Sequence, residues 1–390
     1  MITIAFLLGP PCLGPDWSID SDPTVDDRKS ENGGSPGTDG YRGSCSVSLD
    51  SMDGEEEEKK KGRVKVENVG GKSTVTRCFS CYPLKLILPN KAGSSKSDAV
   101  WIYALSYGGG IVSGDRISLA ISVGDGCTAI LTTQASTKVY KSVDSKCSEQ
   151  ILEARVGRDA LLAVIPDPVT CFATARYSQK QVFRLYADSS LVLVDWITSG
   201  RHESGERWEF DLYRSMNHIY LEEDQPLFID SVLLDKTSDT SIAERMQGYQ
   251  VMAMVVISGP KLKDLRHQLQ EEVKQMMSAR SPNSSRNYHI KSEFQHSPTR
   301  LPLIASCSPF GPQVSFKIFT RSLVPGQPPK GIYCSVFTHP CMIYLAPSQA
   351  LGVVVRIAAT TTHSVYMFLK HHLAALEPFL GAAPYCQSGR

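Results

Sequence analysis

The sequence of 390 residues predicts an all-β-dominated fold to which two amphipathic α-helices are added. Apolar and polar residues alternate over residues 117–123, which indicates a strand with one buried face. Glycine and aspartate at 124–126 supply the turn that follows it. Similar patterns indicate at least nine strands in all. They include the runs at 127–133, 182–186, 191–198, 227–234, 250–257, 314–319 and 352–358.

Two other segments have the spacing of a helix. The first follows Ser-Gly-Pro, which can start a helix, and the second is stopped by Pro378 and Gly381. The apolar positions of the first are three or four residues apart, at Leu262, Leu265, Leu269, Val273 and Met276. Those of the second are Val365, Phe368, Leu369, Leu373 and Leu376. We predict that both helices pack on a sheet, and docking of one helix into a partner's groove remains an alternative.

The charge balance is close to neutral overall but uneven along the chain. The formal net charge is +1, which excludes a globally basic nucleic-acid-binding protein. Residues 1–62 are acidic, rich in Gly, Ser and Asp, and without sustained periodicity, so we predict a mostly disordered acidic leader there. A β-rich domain is predicted for 63–385 and a short tail for 386–390. Residues 278–312 are rich in Ser, Pro and Asn and are predicted to be a mobile insertion within that domain.

The sequence indicates a cytoplasmic protein without a membrane span. Its longest apolar run near the start, residues 2–8, is far shorter than the roughly 18 residues that a span requires. That run could serve as a weak signal-peptide core, but no basic residue precedes it and three prolines crowd its end. The 11 cysteines are odd in number and scattered, which is typical of a reduced protein rather than a disulfide framework.

Two short motifs resemble ligand-binding motifs, but the residues around them do not favour such a site. The sequence Gly70-Gly71-Lys72-Ser73 resembles the end of a phosphate-binding loop, but the residues after it favour a strand, so we predict a hairpin turn. Cys78 and Cys81 have the spacing of a metal pair, without two further ligands nearby.

The histidines are dispersed. His371 and His372 are neighbours on a predicted helix and are expected to point to different faces. No motif in the sequence requires an enzyme.

Two blocks of sequence identify a family. Residues 108–116 read Gly-Gly-Gly-Ile-Val-Ser-Gly-Asp-Arg, and residues 131–141 read Leu-Thr-Thr-Gln-Ala-Ser-Thr-Lys-Val-Tyr-Lys. Taken alone, the glycines favour a bend where backbones approach closely, and the polar run favours an exposed sheet face. Together they resemble the signature of the urease accessory protein D family, UreD. The segments at 165–169, 195–201, 205–208 and 230–234 agree with that resemblance.

The resemblance implies a fold and a role. UreD proteins have a β-helix-like stack of strands with two helices. This chain has no fixed-length repeat, so its sequence pattern alone does not indicate such a stack. The chain would be a non-catalytic scaffold that docks on the urease apoprotein with accessory proteins F and G. It would conduct Ni²⁺ to the urease active site through a polar interior. No tightly bound cofactor, nucleic acid or membrane partner is expected, and Ni²⁺ would bind only transiently, through weak oxygen and nitrogen ligands.

Candidate site residues follow from the same resemblance. The acids Asp115, Asp167 and Glu206 are the candidates for transient contact with the metal. Other motif residues would line or shape the path: Gly109, Gly110, Gly114, Thr132, Thr133, Gln134, Thr137, Lys138 and Arg201. Two alternatives remain, a β-helical enzyme acting on polysaccharide and a nucleotide-binding protein that uses Lys72.

Overall fold

The computed structural model describes residues 61–89, 97–236, 240–278, 302–311 and 350–385. The predicted leader, apart from its last two residues, lies outside the described residues, as do the predicted strand at 314–319 and the tail at 386–390. Within the described residues the chain forms seventeen strands. They are β1 (Gly62–Val69), β2 (Lys72–Phe79), β3 (Leu84–Ile87), β4 (Val100–Ser106), β5 (Arg116–Val123), β6 (Thr128–Thr132), β7 (Thr137–Val139), β8 (Ser148–Val156), β9 (Leu161–Val164), β10 (Val169–Cys171), β11 (Arg176–Leu185), β12 (Ser190–Thr198), β13 (Leu212–Leu221), β14 (Gln225–Asp235), β15 (Val251–Ser258), β16 (Leu303–Phe310) and β17 (Gly352–Ala359).

The strands form two sheets. Sheet A has seven strands in the order β14-β13-β11-β8-β5-β1-β2. Sheet B has ten strands, eight of which follow the order β16-β17-β15-β12-β9-β6-β4-β3, while β7 and β10 pair off this path. The β-dominated fold predicted from the alternating patterns is therefore confirmed.

The central part of the fold is a solenoid-like stack of coils. The chain passes repeatedly from sheet A to sheet B, so that β5, β8 and β11 pair in parallel in one sheet and β6, β9 and β12 in the other. Arg116 pairs with Glu149, and Glu149 pairs with Ser178. The coil from 116 to 149 is therefore four residues longer than the coil from 149 to 178. This unequal length is the reason why no fixed repeat is visible in the sequence.

A short third side completes the coils. Strand β10 pairs in parallel with β7 and with the end of β12, and Ile111 forms an isolated parallel bridge to Val139. Antiparallel strands flank the stack: β2 pairs with β1, β14 with β13, and β15, β17 and β16 extend sheet B beyond β12. Because β16 is an ordered edge strand, the insertion predicted at about 278–312 does not include residues 303–310. Hydrogen bonding to β17 holds β16 in the sheet although several of its residues are polar. Residues 279–301 lie outside the described part of the chain.

Four α-helices lie within the described residues. They are α1 (Ile242–Arg245), α2 (Lys263–Ser278), α3 (Thr362–Leu373) and α4 (Glu377–Leu380). The apolar residues of α2 and α3 form one buried cluster with the outward side chains of sheet B, which confirms two amphipathic helices packed on a sheet. None of the helices in this part of the chain is long and apolar enough to cross a membrane.

Strand β12 separates two hydrophobic cores. Leu191 and Leu193 face the core between the two sheets, whereas Val192, Val194 and Trp196 face the core between sheet B and the helices. The strand therefore reads as a nearly continuous apolar run, as expected for a strand covered on both faces. Burial of each large apolar side chain stabilises the fold by about 1.5–3 kcal/mol.

The glycine pair Gly70-Gly71 forms the predicted hairpin turn between β1 and β2. Both glycines have positive φ, and Lys72 is the first residue of β2. A phosphate-binding loop requires a helix after the lysine, so the structure does not support the alternative in which Lys72 binds a nucleotide.

Gly259 holds a close approach between β15 and the start of β12. Its φ is +101°, and a Cβ atom there would meet the carbonyl oxygen of Ser189 and lie 2.5 Å from Cα of Ser190. We expect Gly259→Ala to lower the free energy of unfolding by about 3 kcal/mol or more, from strain and overlap with backbone. Gly70→Ala is the matched control, because Gly70 also has positive φ but has open space around it. It should cost only about 1–2 kcal/mol. Urea unfolding measures both, and an equal loss in the two variants would contradict this account of Gly259.

Candidate functional site

A groove of about 1060 Å³ lies where the ends of β6, β9 and β12 approach α3 and the segment after α4. Four of the residues predicted from the family signature line it: Thr132, Thr133, Gln134 and Asp167. Thr132 is the last residue of β6, Thr133 and Gln134 follow it, and Asp167 lies between two prolines after β9. The groove therefore brings together side chains from two successive coils.

Asp167 is the centre of the hydrogen bonding in this groove. Its Oδ1 accepts a hydrogen bond of 2.7 Å from the Tyr366 hydroxyl, and its Oδ2 accepts one of 3.2 Å from Thr133 Oγ1. The Asp167 backbone N–H donates to the same threonine oxygen at 2.8 Å. Burial raises the pKa of the Asp167 carboxyl above its ordinary value, and the two hydroxyl donors oppose that shift only in part. Burial and the nearby carboxyl also raise the pKa of Tyr366.

Three aromatic side chains surround this carboxyl. Trp196 packs edge-on against Tyr366 with ring centroids 4.8 Å apart, and Tyr385 lies 5.8 Å from Tyr366. The indole of Trp196 and the hydroxyl of Tyr385 both donate to the carbonyl oxygen of Pro166, at 2.9 and 3.0 Å. These contacts hold the Pro-Asp-Pro segment, so the position of Asp167 is fixed by side chains from β12, α3 and the C-terminal segment.

The other two candidate acids lie outside the groove lining. Asp115 Oδ2 accepts a hydrogen bond of 2.9 Å from the Val112 backbone N–H, which closes the turn before β5. Glu206 is buried and forms an ion pair with Arg201, and the hydrogen bond from this arginine lowers the pKa of Glu206. The Arg201 guanidinium also stacks over Phe172, 4.2 Å from the ring centroid. Both carboxylates are thus engaged in local structure.

The remaining predicted residues take part in turns and short strands. Gly109 and Gly114 have positive φ, and Gly110 is buried where a Cβ would lie 2.8 Å from the Lys138 carbonyl oxygen. The Gly110 contact matches the close backbone approach that the residues alone favour. Thr137 and the exposed Lys138 belong to β7. Thr132 Oγ1 donates to the Ile165 carbonyl at 2.8 Å and so ties β6 to the end of β9.

A second polar site lies between the sheets, and sequence analysis missed it. Asp195 points inward from β12 and accepts hydrogen bonds from Gln179 at 2.6 Å, Ser215 at 2.6 Å and Asn217 at 2.7 Å. These four residues, which we call the inter-sheet polar cluster, link β12 of sheet B with β11 and β13 of sheet A. Burial raises the pKa of Asp195; its three hydrogen bonds lower it in part, and the charge of Asp230 raises it further.

Neighbouring polar side chains extend the cluster in two directions. Gln181 donates to Asn217 at 3.0 Å, and Tyr177 donates to Gln150 at 3.1 Å. Towards the edge of the sheets, Arg356 of β17 donates to Asp230 of β14 at 2.6 Å, which again joins sheet B to sheet A. The signal in the sequence was an aspartate inside the apolar run of β12, because a charged residue in a strand buried on both faces requires partners.

Two charged side chains of this interface keep some accessible surface. Asp195 retains some accessible surface although Gln179, Ser215 and Asn217 around it are buried. The Arg356 side chain, further along the same interface, keeps 35% of its surface accessible. Strands β11, β13 and β14 therefore contribute polar as well as apolar side chains to the interface, whereas the inward residues of β5 are all apolar.

Comparisons with known proteins agree on one family. The family described as UreD urease accessory protein matches residues 59–388. Urease accessory protein D of Oryza sativa subsp. japonica is 58% identical over 327 residues, which cover 83% of this chain and 94% of that protein. The Arabidopsis thaliana protein of the same name is 55% identical over 335 residues, covering 83% and 99%. A bacterial relative, urease accessory protein UreD of Anaeromyxobacter sp., is 39% identical over 212 residues, covering 54% and 69%.

The raised pKa of Asp195 predicts a specific dependence of stability on pH. A carboxyl that holds its proton more tightly in the folded state stabilises that state at low pH. This contribution is lost as pH rises from the ordinary aspartate value of about 3.9 through the raised value. The free energy of unfolding of the natural chain, relative to Asp195→Asn, should therefore decrease as pH rises through this window.

Urea titrations at several pH values measure this difference. The ionisable groups coupled to Asp195 across the interface are Asp230, Tyr177 and Tyr213, and all three are present in both proteins. Asp188→Asn, at an exposed turn, is the control for the loss of one aspartate elsewhere in the chain. A difference between the natural chain and Asp195→Asn that is constant or increases with pH would contradict the raised pKa.

Proposed function

Because the chain belongs to the UreD family of urease accessory proteins, we propose that it conducts Ni²⁺ to the urease active site. In this proposal it docks on the urease apoprotein together with accessory proteins F and G and performs no reaction of its own. The family consists of non-catalytic helper proteins, so its members assist urease rather than act as enzymes.

The inter-sheet polar cluster is the observation that carries the proposal. It offers one carboxylate, two side-chain amides and one hydroxyl, all linked by hydrogen bonds of 2.6–2.8 Å. Oxygen donors of this kind bind Ni²⁺ more weakly than a set of thiolates and imidazoles does. An ion held by such weak ligands dissociates more readily. A protein that passes Ni²⁺ on must release it, so weak ligands suit this role better than strong ones.

The electrostatics of Asp195 also suit a passing cation. Burial disfavours the charged form of this carboxyl, and a divalent cation beside it favours that form. Entry of Ni²⁺ is then coupled to the release of a proton, and departure of the ion restores the protonated state. The partly open interface near Arg356 supports access to this position from solvent.

Of the three acids predicted for metal transit, Asp167 has the best support from the geometry. It faces the groove, while the Asp115 carboxylate closes a turn and Glu206 is paired with Arg201. Asp167 therefore stays in the proposal as a second carboxylate for the ion.

The polysaccharide-active enzyme fits this groove less well. Glycoside hydrolysis commonly uses two carboxylates about 5–9.5 Å apart. Among the described residues that line the groove, Asp167 is the only carboxylate. The geometry therefore favours the accessory role.

Urease activation under limiting nickel tests the proposed route. The assay uses cells that lack the natural chain and express urease with the other accessory proteins. We expect Asp195→Asn to lower the nickel content and activity of the recovered urease by about tenfold or more, because the buried carboxylate is lost from the path. Asp188→Asn, an exposed turn variant, should support full activation.

Two further measurements distinguish the parts of the proposal. Co-purification of Asp195→Asn with accessory protein F and urease should be unchanged, since the Asp195 side chain lies between the sheets, against Ser215 of β13. Full activation by Asp195→Asn would show that the ion does not pass this residue. Full nickel loading of urease in cells that lack the chain would contradict the proposed function as a whole.

A further inference from the structure

Three side chains of metal-binding types meet where α2 and α3 approach each other. Glu272 lies on α2, and His371 and His372 lie in the last turn of α3. Glu272 Oε2 is 2.8 Å from His372 Nδ1 and 3.4 Å from His371 Nε2. One potential ligand atom from each side chain lies within 4.8 Å of the other two, and no other group of three with this property is found among the described residues.

The two histidines differ in exposure, as expected for neighbours on a helix, but both reach the same carboxylate. Successive residues on a helix are separated by about 100° around its axis, so their side chains diverge. Glu272 enters from the neighbouring helix between the two directions, and both imidazoles turn towards its carboxylate. Their ring centroids are 4.9 Å apart at 77°. The convergence depends on the packing of α2 against α3 and is invisible in the spacing of the sequence.

The surroundings hold two of the three groups in place. His372 is buried and packs against Phe368 with ring centroids 4.1 Å apart. Gln268, one turn before Glu272 on α2, donates a hydrogen bond of 2.8 Å to Glu272 Oε1. This leaves Oε2 directed at the two rings, and a supporting contact of this kind is typical around metal ligands. His371 is 70% exposed, so its ring can adjust.

We propose that Glu272, His371 and His372 form a surface site for a divalent transition-metal ion such as Ni²⁺ or Zn²⁺. Two imidazoles and one carboxylate form a ligand set that such ions accept, with metal–ligand distances of about 2.0–2.2 Å. The distances from Glu272 Oε2 to the two histidine nitrogens, 2.8 and 3.4 Å, already suit that coordination. A small rotation of the exposed His371 would bring its nitrogen closer to that of His372. Water completes the coordination on the open side.

This site is separate from the inter-sheet polar cluster. Glu272 and the histidines lie on the helix layer, and sheet B with its apolar residues stands between that layer and Asp195. The inference therefore does not rest on the proposed function, and binding of the metal alone can be measured with the isolated full chain.

Calorimetric titration of the metal-free full chain with NiCl₂, and separately with ZnCl₂, tests the site. We expect His371→Ala and Glu272→Gln each to weaken binding at one site by at least tenfold, because each removes a direct ligand. His267→Ala on α2 and His363→Ala on α3 are the matched controls, since both histidines are exposed on the same two helices and lie outside the cluster. The controls should bind like the natural chain.

Circular dichroism and thermal unfolding verify that each variant is folded. His371 and Glu272 are chosen because they are the less buried members, so the test does not depend on replacing His372. X-ray absorption of the Ni²⁺-loaded natural chain should show imidazole ligands that diminish in His371→Ala. Identical isotherms for the natural chain, His371→Ala and Glu272→Gln would overturn the proposal and leave only an ion pair between helices. An equal loss in the two control variants would overturn it as well.

Discussion

Strand β12 lies between two hydrophobic cores, and most of the architecture is arranged around this double burial. One face closes the space between the sheets, while the other supports α2 and α3 through Trp196 and its neighbours. A strand covered on both faces must be apolar at almost every position. Asp195 is the exception, and the partners that it recruits from β11 and β13 determine the character of the interior.

A polar cluster between packed sheets is not needed for stability. Buried charged and polar groups recover their desolvation cost only when every hydrogen-bonding atom has a partner, and apolar residues of similar volume are often as stable or more so. Here the carboxylate of Asp195 has three donors, and Asp230 has the guanidinium of Arg356. A polar, partly accessible interior is consistent with a role in carrying a small cation, because it provides ligands where an apolar core would exclude the ion.

The local pattern of the sequence was a sound guide to the elements. Alternation over residues 117–123 corresponds to β5, and the spacing of Leu265, Leu269 and Val273 corresponds to the buried face of α2. The candidate acids were harder to place. Asp167 faces the groove with Thr133, but the Asp115 side chain closes a turn and Glu206 pairs with Arg201. A carboxylate in a family motif can stabilise a turn, form an ion pair or line a binding site. Its position in the motif does not show which of these roles it has.

The sequence by itself determined the most regular strands, such as β5 and β12, the two amphipathic helices, the hairpin at Gly70-Gly71 and the family to which the chain belongs, whereas strand β16 depends on its pairing with β17. These features depend on the order of neighbouring residues, because periodicity, turn chemistry and motif spacing are local. Only the tertiary structure decided that Gln179 and Ser215 surround Asp195, and that Glu272 meets His371 on another helix. Such pairs join residues far apart in the chain. Their approach is determined by the unequal lengths of the coils and by the packing of helices on sheet B, neither of which any short stretch of sequence specifies.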